Sequence, residues 1–139
     1  MVKSIDKDFE LIDQIENEWS VLKRYAPNLL YVEYKDGDDD LDLDFAKAQV
    51  KCVNELCEGI PHHIILDFTQ TSVNFSPEAR EYFAENESHN ELRLSQAIII
   101  KSLAHKLVAN FYMRFNKPKG PTVIVNSKEQ AVKWIKNHL

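Results

Sequence analysis

The spacing of apolar residues changes several times along the chain, and each change marks an expected element. "WSVLKRY" (19–25) and "LLYVEYK" (29–35) are rich in aromatic and branched side chains and read as two short strands, with "APN" between them as the turn of a hairpin. The spacing then becomes helical. Ala46, Val50, Val53 and Cys57 form one apolar face, and Gly59 followed by Pro61 stops the helix. "HHIILDF" (62–68) and "LSQAIIIK" (94–101) are nearly continuous apolar runs, the mark of strands buried on both faces. Between them a helix starts near Pro77 and sets Ala79, Tyr82, Phe83 and Asn86 on one side. Another helix is expected from Ser102, carrying Leu103, Leu107, Val108, Phe111 and Phe115 up to the break at "NKPKGP". "TVIV" (122–125) is the last strand. Ser127 and Gln130 make a capping-box pattern for a closing helix that turns Ala131, Ile135 and Leu139 inward. The first fifteen residues fit a helical stripe (Ile5, Phe9, Ile12, Trp19) and, in part, strand alternation (Phe9, Leu11, Ile15), so their type stays open.

The expected order is β-β-α-β-α-β-α-β-α, an α/β arrangement in which helices cover a sheet. With 139 residues, 44% apolar and 28% charged, the chain suits one globular domain over residues 1–139. The most apolar run, "AIII", is far shorter than a bilayer crossing, and "MVKSIDKDFELIDQIE" contains no apolar signal core. The cysteines are Cys52 and Cys57 alone, set in a helical pattern, which forms no disulfide framework and fits a reducing cytoplasm. Charge adds one feature. Residues 1–92 hold 8 Lys/Arg against 21 Asp/Glu, a net −13, while residues 93–139 hold 9 against 1, a net +8. Either the two parts interleave and neutralise each other, or the split serves an anionic partner or a homodimer.

With the stretches "FSPEAREYF", "AIIIKS", "KLVANFYMRFNKP" and "SKEQAVKWI" in that order, the chain resembles the STAS superfamily. It is most similar to its small SpoIIAA-like, or STAS/Sec14-like, bacterial members. The resemblance covers residues 28–139 and leaves residues 1–27 outside. It implies a mixed β-sheet flanked by helices, no catalytic activity and no cofactor, and a regulatory or protein-interaction role like that of the anti-sigma-factor antagonists. A minority of the wider fold group carries small apolar or lipid-like ligands, which is the alternative reading.

In the antagonists, a serine at the start of the helix after a central strand is phosphorylated by a partner kinase. Ser76 falls at that place. Its neighbours depart from the pattern: Phe75 stands for an acidic residue, Pro77 for a second hydroxyl and Glu78 for a glycine. The residues themselves read as a helix cap, since a serine hydroxyl can accept from a first-turn amide and proline suits the first helical position.

"DGDDDLDLD" places Asp36, Asp38 and Asp40 like the first ligands of a calcium loop, but Leu41 sits where the turn glycine belongs and Lys47 where the closing glutamate belongs. The expectation is a solvated loop whose last carboxylates cap the next helix, and no metal. His62 and His63 are adjacent and point to opposite faces of a strand, so they cannot share an ion; they are expected at the surface or its boundary, as are His89, His105 and His138. The stretch from Lys101 onward combines Lys101, Lys106, Arg114, Lys117 and Lys119 with an aromatic face. The plainer reading is an amphipathic helix with a solvated basic back; the functional one is a surface for an anionic partner. The charges match no nucleic-acid motif. Tyr82, Phe83, Phe111 and Phe115 are the candidates for an apolar pocket: an open cavity there favours the ligand reading, a filled core the interaction reading.

Overall fold

The computed structural model describes residues 5–36, 41–70, 75–86, 91–102 and 120–139. A six-stranded sheet contains β1 (Leu11–Glu16), β2 (Ser20–Tyr25), β3 (Leu29–Tyr34), β4 (His62–Asp67), β5 (Arg93–Ile99) and β6 (Thr122–Val125). The strands lie side by side in sequence order, β1-β2-β3-β4-β5-β6. β1, β2 and β3 are antiparallel, and β3 to β6 run parallel. Among the described residues, three α-helices accompany the sheet: α1 (Leu43–Cys57) between β3 and β4, α2 (Pro77–Glu85) between β4 and β5, and α3 (Lys128–Lys136) after β6. The helix expected over 102–115 lies outside the described residues, apart from its first position.

Strand alternation sorts the side chains into two cores. On one face Leu22, Leu30, Val32, Ile64 and Ile98 pack beneath Phe45, Ala46, Val53 and Leu56 of α1 and Ala79 of α2. On the other, Tyr25, Leu29, Tyr31, Ile65, Ala97 and Ile99 meet Ala131, Val132 and Ile135 of α3 and Ile5 of a short 3-10 turn. The continuous apolar runs of β4 and β5 follow from this double cover.

The open segment at the N-terminus resolves into that turn and the edge strand β1. This strand adds one element to the expected order. Its pattern was weak because β1 has little to bury: Leu11 and Ile12 are 42% and 49% exposed. Its register breaks between Leu11 and Asp13, and the Asp13 carboxylate accepts the Gln14 amide at 2.8 Å. Breaks and charges of this kind blunt a sheet edge.

Two further expectations are corrected. Leu139 is 50% exposed and does not face the core, because α3 ends at Lys136 and Asn137 caps it. The box at the start of α3 forms one residue early: Ser127 accepts from the Gln130 amide, but Gln130 accepts from the amide of Asn126.

Candidate functional site

The site singled out from sequence lies where the chain leaves β4 and enters α2. Ser76 is the N-cap of α2, with extended backbone, and its Oγ accepts the Ala79 amide at 3.1 Å. Pro77 fills the first helical position, where a missing N–H costs nothing. A parallel bridge joins Leu41 to Phe75, and the Ser76 amide donates to the Leu41 carbonyl at 2.9 Å. Because Asp42 is the N-cap of α1, accepting the Phe45 amide at 3.0 Å, the bridge sets the starts of α1 and α2 side by side.

Helix N-termini attract negative charge. Here Asp42, Asp44 and Glu78 already supply it. A phosphate on Ser76 would gain from the α2 amides and lose to these carboxylates, so the geometry favours the cap. Ser76→Ala is expected to lower stability by about 1 kcal/mol. Ser76→Asp, which can accept the same amide, is expected to stay within a few tenths of wild type. Urea denaturation of the three proteins checks both, and a destabilised Ser76→Asp would show that the local charge outweighs the cap.

Asp42 realises the expected cap at the end of the acidic loop. Residues 37–40 of that loop lie outside the described residues, as do Lys106, Arg114, Lys117 and Lys119 of the basic surface and Phe111 and Phe115 of the expected pocket. Lys101 is exposed. Tyr82 and Phe83 are half-buried against the first core. The ring of Phe83 meets Phe45 and Phe75, each with centroids 6.0 Å apart. Phe75 also reaches Phe68, which stacks on Tyr34 at 4.2 Å.

A second polar group, which no sequence pattern announced, lies on the α3 face. Tyr31 and Asp67 sit on adjacent parallel strands, both almost fully buried, and the Tyr31 hydroxyl donates to Asp67 Oδ2. Thr69 donates its amide to Asp67 Oδ1 at 3.0 Å, and Lys128 Nζ lies 5.1 Å from the centre of the Tyr31 ring. Burial, and then the charge of Asp67, push the Tyr31 phenol well above its ordinary range, so it stays a donor. Tyr31→Phe is expected to cost roughly 2 kcal/mol, since it leaves a buried carboxylate oxygen without its partner. A Tyr31→Phe/Asp67→Asn double-mutant cycle measures the coupling; additive losses would mean that the two groups do not interact.

The histidines correct the sequence reading in one respect. His62 and His63 do point to opposite faces, but they are not at the surface: they are 2% and 6% exposed, because β4 is a central strand covered on both sides. Both free cysteines are buried, and burial raises the Cys57 thiol to about 11 against the opposing effect of Arg24, which keeps it protonated at neutral pH. Among the described residues no cluster of His, Cys, Asp and Glu could hold a metal ion, and no helix is long and apolar enough to cross a membrane.

The mixed six-stranded sheet with its flanking helices has a SpoIIAA-like fold. The structure is similar to that of an uncharacterised protein of the DUF3478 family from Shewanella loihica PV-4, which has a SpoIIAA-like fold. The likeness has a TM-score of 0.59 at 13% identity and covers 96% of this chain and 98% of that one. The chain itself belongs to the family described as Domain of unknown function (DUF7793), whose model matches residues 24–139. No curated protein matches it.

Proposed function

We propose that this protein is a non-enzymatic regulatory module of the cytoplasm that acts by binding another protein. The observation that supports this reading is the aromatic packing, among the described residues, between the sheet and helices α1 and α2. Phe45, Phe68, Phe75, Phe83 and Tyr34 lie ring against ring. Phe83, one of the residues offered as a pocket lining, is spent on its neighbours. A carrier of an apolar or lipid-like ligand needs that volume for its cargo. The test is native mass spectrometry of the protein purified from its own cells under mild conditions. A bound protein is the expected result; a stoichiometric apolar small molecule released on denaturation would establish the carrier reading instead.

The same module is expected to form a weak, salt-sensitive homodimer. Because the strands stand in sequence order, β1 to β4 belong to the acidic part of the chain and β5 and β6 to the basic part. The ion pair of Lys136 with Asp8, 2.6 Å, neutralises the two parts at one place. Exposed pairs contribute only about 0–1 kcal/mol each, and the Debye length falls to about 3 Å at 1 M salt. Sedimentation should therefore show association at low salt and monomer at 1 M. Monomer at low salt and high protein concentration would refute self-association, and a salt-indifferent dimer would refute its charge origin.

A further inference from the structure

His62 and His63 open the central strand β4, one aimed at each face, and neither is used by the sites described above. The main chain of both residues is held: the His62 amide donates to the Leu92 carbonyl at 2.8 Å and the His63 amide to the Asn28 carbonyl at 2.9 Å. On the α1 face, His62 Nδ1 lies 3.0 Å from the Ile60 carbonyl, so Nδ1 carries the ring proton and donates it. That leaves Nε2 as a bare lone pair, shut away from water and without a hydrogen-bond partner among the described residues. On the α3 face, His63 Nδ1 meets the Ser95 hydroxyl at 2.6 Å.

Among the described residues, Arg93 from β5, Arg24 from β2 and His63 act on His62, and His138, which follows α3, acts on His63. Arg24 is anchored there by its bond to the Leu56 carbonyl, 3.1 Å, at the end of α1. A proton added at His62 Nε2 would create a buried cation whose new N–H has no acceptor among the described residues, in the field of the Arg93 and Arg24 guanidinium groups. A proton on His63 would face His138, whose ring is tilted against Trp134 with centroids 3.9 Å apart.

We propose that His62 and His63 form a proton-sensitive joint: neutral, they lock the start of β4 into both layers of the fold, and protonated, they drive it out of both. Burial, the largest cause, holds both imidazoles below their ordinary value and the neighbouring groups add to it, while at His62 the bond to the Ile60 carbonyl partly opposes it. In the unfolded chain each takes up its proton near pH 6.5. The unfolded state thus binds the extra protons as pH falls below about 6.5, so the joint's contribution is complete above that value and is lost below it. Each proton bound only on unfolding lowers the folding constant up to about tenfold per pH unit, and the pair together up to about a hundredfold.

The experiment is urea denaturation of the full chain at intervals from pH 8 to pH 5, for wild type, His62→Gln, His63→Gln and the double variant. Wild-type stability is expected to be level down to about pH 6.5 and then to fall steeply. Each single variant should lose about half of that slope, and the double variant should lose nearly all of it. A double variant that keeps the wild-type slope overturns the proposal. Should the variants fail to fold, imidazole NMR titration of the wild-type protein decides: two rings that stay neutral at pH 5.5 support the joint, and titration of all its rings at or above pH 6.5 refutes it.

Discussion

Phe45→Ala is expected to lower the free energy of unfolding by about 3–5 kcal/mol, the range for removing a large ring from a core. Phe45 is fully buried near the N-terminus of α1. Its ring lies 5.9 Å from Trp19, 5.8 Å from Tyr34, and 6.0 Å from both Phe75 and Phe83. Four aromatic neighbours on two elements and two connecting segments cannot all collapse into the space left behind. Each aromatic contact adds about 0.5–1.5 kcal/mol beyond area burial. Since domains of this kind are stable by only about 5–15 kcal/mol, the loss would be a large share of the total. Urea denaturation checks it, with Phe45→Leu as a companion that should cost less than half as much. A loss under about 1 kcal/mol for the alanine variant would mean that the cluster is not tightly packed.

Gly120→Ala should follow, with a cost of about 3 kcal/mol, at the upper end for overpacking. The reason is close approach of two backbones just before β6. A methyl group at Gly120 would stand 2.5 Å from the Leu94 carbonyl oxygen, 3.1 Å from its carbon and 3.2 Å from the Arg93 carbonyl oxygen. All three atoms are main chain in or at the start of β5, so no rotamer change relieves the clash. The nearby bond from the Gln96 amide to the Pro121 carbonyl, 2.9 Å, would have to lengthen. Thermal unfolding of Gly120→Ala beside Gly59→Ala is informative, because Gly59 has open space around it and a positive φ of 76° instead. Equal, small losses at both positions would show that the β5–β6 junction yields easily.

Sequence pattern revealed the parts of the fold that bury the most. β4 and β5 were visible because they are covered on two faces, and α1 because Ala46, Val50, Val53 and Cys57 all reach the core. β1 escaped because an exposed edge strand has nothing to alternate against. The cap roles of Ser76 and Asp42 were legible, since capping depends on local chemistry that spacing preserves. The Tyr31–Asp67 pair was not. It joins residues 36 positions apart, and only the register of β3 on β4 brings them together. The burial of His62 and His63 was missed for a related reason: polar residues at the start of an apolar run look like a boundary until the sheet shows that the strand is central.

The plain strand order has a consequence for how the molecule is made. Each strand pairs with the one synthesised just before it, so its partner has already left the ribosome when it emerges. Contacts local in sequence shorten the loops that must close and speed folding. The antiparallel set β1 to β3 can therefore form a template before β4 exists, and β4, β5 and β6 then each add to an edge that is already waiting. A sheet with a late-made strand at its centre would hold two unpaired edges apart until that strand arrived. Here the nascent chain shows one growing edge at a time, which limits the period in which it can pair with a neighbouring chain.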